Sequence, residues 1–265
     1  MPIVHPRRSV VAALTAALLS PLAGCGDGGG TRHGGGSGAG DTPEVRLTVL
    51  AAASLTDVFE KAGAAYEKAH PGVRLTFSFA GSQQLAAQVK QGVPADALVT
   101  ADRRTMAEVR SETVGESTVI ARNRLVIVVG EGNPRQVGGL ADLTDDDLAV
   151  VLAAPEVPVG RYSRRVLDAQ HLTVHPVSEE PDVRTVLGKV ALGEADAGIV
   201  YRTDAAAAPD KVDTVAIPDA RNAVAAYPAA VLRDGAHPKA ATAFLTWLRG
   251  PEAQRLLRAA GFQKP

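Results

Sequence analysis

Three short stretches of the chain place a small hydroxyl residue or a glycine where a strand pattern changes to a helix pattern. They are Ala53-Ser54, Gly81-Ser82 and Val159-Gly160. The first N–H groups of a helix have no partner inside the helix, and the helix dipole places about half a positive charge there. Helix starts that converge therefore form an anion site without lysine or arginine. Each serine alone is a simple helix cap, so the prediction depends on the three junctions together.

The elements around these junctions alternate between strand and helix. Strand patterns occur at residues 45–52, 73–79, 97–100, 124–130, 198–201, 214–217 and 224–232. Helical patterns occur at residues 58–66, 85–92 and 104–109, near Tyr162 and Val183, and twice within 239–260, where Gly250-Pro251 separates two helices. Such alternation predicts an α/β fold with parallel sheets covered on both faces. Ligands in these folds bind outside the carboxyl ends of the strands, where the junctions lie.

The N-terminus has the layout of a secretory signal. Arg7 and Arg8 precede an uncharged apolar run over residues 10–22. The run is shorter than the roughly 20 residues that span a bilayer, so it predicts a signal sequence rather than a permanent anchor. Leu22-Ala-Gly-Cys25, which follows, resembles a bacterial lipobox. This resemblance implies that residues 1–24 are removed and that Cys25, the only cysteine, is lipidated.

Residues 26–42 are dominated by glycine and contain too little apolar surface to fold. The run neither follows a strand nor opens a helix, so it does not match a phosphate-binding glycine loop. We therefore predict that residues 25–43 are a lipid-bearing tether. It would hold the folded part at the extracytoplasmic face of the bacterial cell membrane.

Size and charge narrow the classes of function. The folded part has about 220 residues, enough for two lobes. Removing residues 1–24 lowers Lys plus Arg from 28 to 26 against 29 acidic residues, a net charge of about −3. A chain of this charge without a basic run argues against nucleic acid as a partner. We expect no cofactor and no cation-binding site.

Two catalytic or metal-binding alternatives are weaker. A serine hydrolase would need a histidine base near Ser54 or Ser82, and no Gly-x-Ser-x-Gly motif is present. His171 and His175 have the spacing of two metal ligands on one helix face. The intervening Leu172-Thr-Val174 instead favours a loop or strand, so we predict solvated histidines and a protein that is not an enzyme.

Several motifs, in order over residues 47–262, resemble the periplasmic molybdate-binding family. Residues 47–56, which include Ser54, look like the opening strand and loop of that family, and Phe79-Ala-Gly-Ser82 looks like its second anion-binding turn. The later matches are Val157-Pro-Val-Gly160-Arg-Tyr162, Pro181-Asp-Val183-Arg184 and Gly198-Ile-Val-Tyr201, which resemble the third loop, the fourth loop and the strand end that carries a ligand tyrosine.

The resemblance implies a two-lobed, type II periplasmic-binding-protein fold with the ligand cleft between the lobes. Lobe 1 would comprise residues 44–120 and 229–265, and lobe 2 residues 121–228. The protein would be a monomeric lipoprotein that delivers molybdate or tungstate to the permease and ATPase of an ABC importer. Ser54 and Ser82 would donate through hydroxyl and backbone N–H, Val159 and Val183 through backbone N–H, and Tyr201 through its phenol.

Two departures from the family pattern and one open alternative bear on selectivity. Gly81 stands where the family commonly has a second small hydroxyl residue, and Val159 stands where alanine is usual. Another solute, such as sulfate, ferric iron or an organic acid, would fit the same fold. Iron would require more tyrosines than Tyr201, since Tyr66, Tyr162 and Tyr227 are expected to be packing residues. A carboxylate ligand would recruit arginine, but Arg161 and Arg184 are expected to pair with Asp182 or face solvent.

Overall fold

The computed structural model describes residues 44–265 of the chain. The predicted signal sequence, Cys25 and the predicted tether lie outside the described residues. Thr42–Pro265 forms one compact unit, and this unit has two clusters of buried apolar side chains. A fragment of residues 42–265 therefore has its own core and is expected to fold on its own.

The described residues form nine strands and eight α-helices. The strands are β1 Val45–Ala52, β2 Val73–Ala80, β3 Ala97–Val99, β4 Thr113–Gly130, β5 Val150–Ala153, β6 Ser178–Glu180, β7 Ala197–Tyr201, β8 Val212–Ala216 and β9 Val224–Leu232. The helices are α1 Thr56–Ala69, α2 Ser82–Lys90, α3 Arg103–Ala107, α4 Pro158–Asp168, α5 Val183–Ala191, α6 Arg202–Ala206, α7 Pro238–Leu248 and α8 Pro251–Ala259. None of these helices is long and apolar enough to cross a membrane.

The strands are linked in the order β2-β1-β3-β9-β4-β7-β5-β6, and β8 also pairs with β4. The α/β fold was predicted correctly, but the expectation of parallel sheets was only partly right. Strands β2, β1 and β3 are parallel, as are β7, β5 and β6. The long strands β4 and β9 are antiparallel to each other and to their other neighbours. The antiparallel pair therefore joins two parallel groups.

Strands β4 and β9 divide the molecule into two halves. Residues 113–124 of β4 pair with β9, and residues 125–130 pair with β7 and β8. At its other end β9 pairs with β3 through Ala229–Val231. The chain therefore crosses between the halves on two adjacent strands, near the pairs Val119↔Pro228 and Ala121↔Tyr227.

Aromatic packing holds helices α1 and α7 on the β1-β2 half. Phe244 contacts Phe59, Tyr66, Phe77 and Trp247, with ring centroids 5.0–6.4 Å apart. Such contacts contribute about 0.5–1.5 kcal/mol each beyond their buried area. The packing fixes the direction of α1, and hence of the turn that precedes it.

Four strands of the parallel groups lead into helices whose first residues lie on the cleft side of the sheet. Strand β1 leads through a 3-10 turn, Ala53–Leu55, into α1, and β2 leads through Gly81 into α2. Strands β5 and β6 lead into α4 and α5. The carboxyl ends of these strands are therefore the place to look for a site.

Candidate functional site

All five residues predicted to bind a ligand line one small cavity. Its volume is about 10 Å³, close to the space that a single water molecule requires. The cavity is lined by Ser54, Ser82, Val159, Val183 and Tyr201 together with Ala52, Ala53, Ala80, Gly81, Ala101, Val157, Pro158 and Asp182. The structure thus brings together every residue of the predicted ligand set, from both halves of the molecule.

Helix starts supply most of the polar character of the cavity. Ser82 and Val183 are the first residues of α2 and α5, Val159 is the second residue of α4, and Ser54 lies in the turn before α1. Their N–H groups are among those that cannot bond within the helix. Four helix starts facing one point create a positive potential from neutral groups alone.

The Asp182 carboxylate borders the cavity but is used elsewhere. It accepts hydrogen bonds from the backbone N–H groups of Arg184 and Thr185 and from the Thr185 hydroxyl. It therefore caps helix α5 and leaves the Val183 N–H uncapped. The expectation that Asp182 pairs with an arginine side chain was wrong. The carboxylate instead caps the backbone N–H groups two and three residues further along the chain, which are its nearest partners in the sequence.

Ser82 is buried and held by the loop that follows β3. Its Oγ accepts a hydrogen bond of 3.0 Å from the Ala101 backbone N–H, and its side chain is 1% exposed. A hydroxyl that accepts through a lone pair keeps its proton for donation. Ser82 can therefore donate to an anion in the cavity through both Oγ–H and backbone N–H.

Ser54 belongs to a hydrogen-bond chain that crosses the β4–β9 strands. Its Oγ lies 3.0 Å from the Tyr227 hydroxyl. The Asn123 amide donates to the Tyr227 hydroxyl at 3.4 Å and to Thr203 Oγ1 at 2.8 Å. Tyr227 packs as expected, against Tyr201 and Phe262. Its phenol also orients Ser54, from 173 residues away in the sequence.

Tyr201 contributes a buried hydroxyl group to the site. It ends strand β7, its side chain is 1% exposed, and its hydroxyl has no hydrogen-bond partner among the described residues. Burial, with a smaller contribution from Tyr227, raises the pKa of Tyr201 well above its usual value. The phenol therefore stays protonated and available as a donor to a ligand.

Glycine at position 160 allows the first turn of α4 to pack closely against the end of β5. A Cβ on Gly160 would lie 2.1 Å from the Ala154 carbonyl oxygen and 2.4 Å from that of Ala153. Any larger residue would therefore push the start of α4 away from the end of β5. The close approach positions the Val159 N–H, and Ser163 Oγ donates to the Val159 carbonyl at 2.8 Å.

The two arginines beside the third and fourth loops do not line the cavity. Arg161 bonds to Asp102 and to Thr105 Oγ1, and Arg184 bonds to Asp57 and lies 2.9 Å from Asp204. The expectation that these arginines face solvent was also wrong. Each is partly buried against carboxylates that are remote in the sequence.

The Arg184–Asp204 pair is close but poorly aligned. Nε and Oδ1 are 2.9 Å apart, yet neither atom has a hydrogen bond of acceptable geometry. Burial raises the pKa of Asp204 to about 7 although Arg184 opposes the shift. Near neutral pH this carboxyl is therefore only partly ionised, and its Oδ2 accepts from the Tyr201 backbone N–H at 3.2 Å.

Other candidates from the sequence do not gather at the cavity. His171 and His175 are exposed in the loop between α4 and β6, as the residues between them predicted. The described residues contain no cluster of three or more His, Cys, Asp or Glu side chains that could hold a metal ion.

Comparisons with known proteins identify relatives over nearly the whole chain. Residues 47–263 match the model of a family described as bacterial extracellular solute-binding protein. The molybdate-binding protein ModA of Mycobacterium tuberculosis strain H37Rv is 39% identical over 255 residues, which cover 95% of this chain and 96% of the relative. The aligned region therefore spans nearly the whole length of both proteins.

Solved structures share the fold at lower identity. The Azotobacter vinelandii periplasmic molybdate-binding protein superposes with a TM-score of 0.70 at 22% identity, covering 83% of this chain and 99% of that one. The sulfate-binding protein SubI of M. tuberculosis superposes with a TM-score of 0.76 at 20% identity, covering 83% and 87%. At these identities the likeness establishes the two-lobed type II binding-protein fold.

Proposed function

Because this chain belongs to the bacterial extracellular solute-binding protein family, we propose that it captures molybdate or tungstate outside the cytoplasm. It then delivers the oxyanion to the permease and ATPase subunits of an ABC importer. The name of the 39% identical mycobacterial relative, molybdate-binding protein, supports this choice of ligand. The site supports it independently, through the chemistry of its donors.

The observation that carries the proposal is a cavity lined mostly by buried residues, in which the polar groups left free for a ligand are neutral donors, since the Asp182 carboxylate caps α5. The Tyr201 phenol, the Ser54 and Ser82 hydroxyls and four helix starts face the cavity. A hydrogen bond to a charged group contributes about 1.5–3 kcal/mol. Several such bonds offset the desolvation of a compact dianion and leave micromolar to nanomolar affinity.

The same donors select among anions. A ligand that carries its own proton, such as monohydrogen phosphate, would bring a donor to a site built to donate. An organic acid would be expected to recruit a charged partner such as arginine, and no arginine or lysine lines the cavity. Sulfate has the same charge and shape as molybdate, so ligand size decides between them.

We further propose the lobe assignment given by the sequence, residues 44–120 with 229–265 and residues 121–228. The crossing of β4 and β9 near Val119↔Pro228 and Ala121↔Tyr227 supports these boundaries. Ser54 and Ser82 then belong to lobe 1, and Val159, Val183 and Tyr201 to lobe 2. A ligand bonded to both lobes favours the closed state, which the permease would recognise.

The membrane attachment is proposed from the sequence alone. Cleavage before Cys25 and lipidation of that residue would leave residues 26–43 as the tether of a monomeric binding protein. Such an anchor would keep the binding unit close to the permease. Mass spectrometry of the membrane-extracted protein tests this: a diacylated N-terminal Cys25 is expected.

Calorimetric titration of residues 42–265 with molybdate, tungstate, sulfate and phosphate tests the ligand. We expect submicromolar binding of molybdate and tungstate, with much weaker binding of the other two anions. Ser82→Ala and Tyr201→Phe should each weaken binding roughly 10- to 100-fold, since each removes a bond to a charged oxygen.

Tyr66→Phe is the matched control, because Tyr66 is equally buried but packs against Phe244 and Trp247, away from the cavity. It should leave the affinity unchanged. Tight sulfate binding in place of molybdate would reassign the ligand. Absence of binding to all four anions would refute the proposed function and leave the fold intact.

A further inference from the structure

Two arginines flank the oxyanion cavity and reach across the cleft to carboxylates of the other lobe. Arg161, on α4, places Nε 2.9 Å from Asp102 Oδ2 and donates from a terminal nitrogen to Thr105 Oγ1 at 2.7 Å. Arg184, on α5, pairs with Asp57 of α1. In the proposed lobe assignment both arginines belong to lobe 2, and Asp57, Asp102 and Thr105 belong to lobe 1.

Each arginine also has a neighbouring acceptor group on its own lobe. Arg161 donates to the Glu156 carbonyl, in the loop just before α4. Arg184 lies 2.9 Å from Asp204, a fully buried carboxyl on α6. The Glu156 contact restricts the Arg161 guanidinium before the lobes meet, so less side-chain entropy is lost when its cross-lobe bonds form.

The cross-lobe partners are partly or wholly shielded from water. The side chains of Arg161 and Asp102 are 18% and 6% exposed, and those of Arg184 and Asp57 are 27% and 49% exposed. Asp102 is further fixed because it accepts from the Thr105 N–H at 2.8 Å. The Arg161–Asp102 pair is therefore less screened by water than the usual exposed ion pair, which contributes little.

The pairs lie next to the cavity without entering it. Each of these charged residues lies one or two positions after a residue that lines the cavity: Asp102 after Ala101, Arg161 after Val159, and Arg184 after Val183. The charged side chains instead line two larger surface cavities of about 350 and 450 Å³ on either side. These side chains therefore make no direct contact with an oxyanion in the cavity, whereas their cross-lobe bonds can favour closure of the lobes.

We propose that Arg161 and Arg184 form a clasp that stabilises the closed state before the oxyanion binds. This inference rests on the proposed function and deepens it: the clasp residues are positioning residues that bring the two sets of donors together. When only a fraction of the free protein is closed, apparent affinity falls in proportion to that fraction. Loss of the clasp therefore weakens binding and speeds dissociation without removing any donor.

Interlobe energy transfer in the ligand-free protein tests the clasp directly. Fragment 42–265 lacks Cys25, so cysteines introduced at Gln91 and Glu194 can carry a donor and an acceptor dye. These exposed positions follow the ends of α2 and α5, whose starts meet at the cavity. Opening of the cleft should therefore lower the transfer efficiency.

The test variants are Arg161→Met, Asp57→Asn and their combination, none of which alters a residue that lines the cavity. We expect each single variant to lower the ligand-free transfer efficiency and the double variant to lower it most. The molybdate affinity should fall about 5- to 50-fold, through faster dissociation, because the closed fraction falls. Circular dichroism and the thermal midpoint establish that each variant is folded.

Arg164→Met is the matched control. Arg164 lies on α4 like Arg161, but its partner Glu179, at 2.9 Å, belongs to the same proposed lobe. This variant should change neither energy transfer nor affinity. Unchanged ligand-free transfer in the folded double variant would overturn the clasp. If the parent protein binds no oxyanion, the proposed function fails, but the ligand-free comparison still decides whether the clasp exists.

Discussion

A buried phenol without a hydrogen-bond partner affects stability and binding in opposite directions. The Tyr201 hydroxyl is desolvated in the folded chain and has no partner among the described residues. Tyr201→Phe should therefore raise the free energy of unfolding of the ligand-free protein by about 1 kcal/mol, since an unsatisfied buried donor costs 1–3 kcal/mol. The same change should weaken oxyanion binding, so the unfolding free energy rises while the affinity for the oxyanion falls.

Chemical denaturation with and without saturating molybdate measures both effects. A lower unfolding free energy for ligand-free Tyr201→Phe would mean that the hydroxyl has a stabilising partner in solution, and the predicted gain in stability would be wrong. Tyr66→Phe again serves as the control, because its ring is buried in the aromatic cluster away from the cavity.

Short sequence motifs were enough to predict residues that the structure places at one cavity, but not the contacts that depend on distant partners; ligand binding by these residues stays a prediction. Ser54, Ser82, Val159, Val183 and Tyr201 lie at strand ends or helix starts, so short motifs reveal them. The role of Tyr227 depends on a bond across 173 residues, and that of Arg161 on a carboxylate 59 residues away. No local pattern encodes such pairings, because they follow from the way the lobes meet.

At the scale of elements, glycine at position 81 sets how closely α2 approaches the loop before α5. A Cβ on Gly81 would lie 2.5 Å from the Pro181 carbonyl oxygen, across the cleft. In the same place Gln83 Nε2 donates to that oxygen at 2.8 Å. In this structure a side chain at position 81 would therefore push against the Pro181 carbonyl and separate the lobes.

Gly81→Ala should therefore weaken molybdate binding without unfolding lobe 1. The residue has φ −57°, which alanine adopts freely, so the strain falls on the interlobe contact. Overpacking typically costs about 1–3 kcal/mol, equivalent to a roughly 5- to 150-fold loss of affinity. Titration calorimetry, with the thermal midpoint of the ligand-free protein, separates the two effects.

Gly72→Ala is the control, because no atom lies within 4 Å of its added Cβ. It should leave the affinity unchanged. If Gly81→Ala bound molybdate as tightly as the parent protein, the lobes would not approach as closely in solution as the structure shows.

Element boundaries were predicted well where apolar periodicity is regular and poorly where it is interrupted. Helices α7 and α8 were separated correctly at Gly250-Pro251. Only residues 124–130 of the 18-residue strand β4 were predicted, because the register shift between Val114 and Thr118 interrupts the alternation. Strand β6, Ser178–Glu180, has no apolar residue that could reveal it.

At the scale of the whole molecule, the charges that attract an anion are separate from the groups that bind it. The chain has a net charge of −1, yet the flanking cavity of about 350 Å³ is lined by five arginines, Arg103, Arg104, Arg122, Arg161 and Arg165, with Asp102 as the carboxylate. This local positive field should raise the association rate of a dianion. The neutral donors then determine how long it stays.

Stopped-flow energy transfer at several ionic strengths measures the association and dissociation rates of the anion separately, and so tests whether the arginines act on association alone. The double variant Arg103→Gln/Arg165→Gln should slow association about 2- to 10-fold at low salt and reduce its salt dependence, since these exposed charges are screened beyond about 8 Å at 0.15 M salt. The dissociation rate should not change, because neither residue lines the oxyanion cavity. In the matched control, Arg46→Gln/Arg249→Gln, the same total charge is removed from exposed positions that line neither this cavity nor the flanking one. Equal slowing in both double variants would mean that total charge, rather than the arginine-lined cavity, governs the approach of the anion.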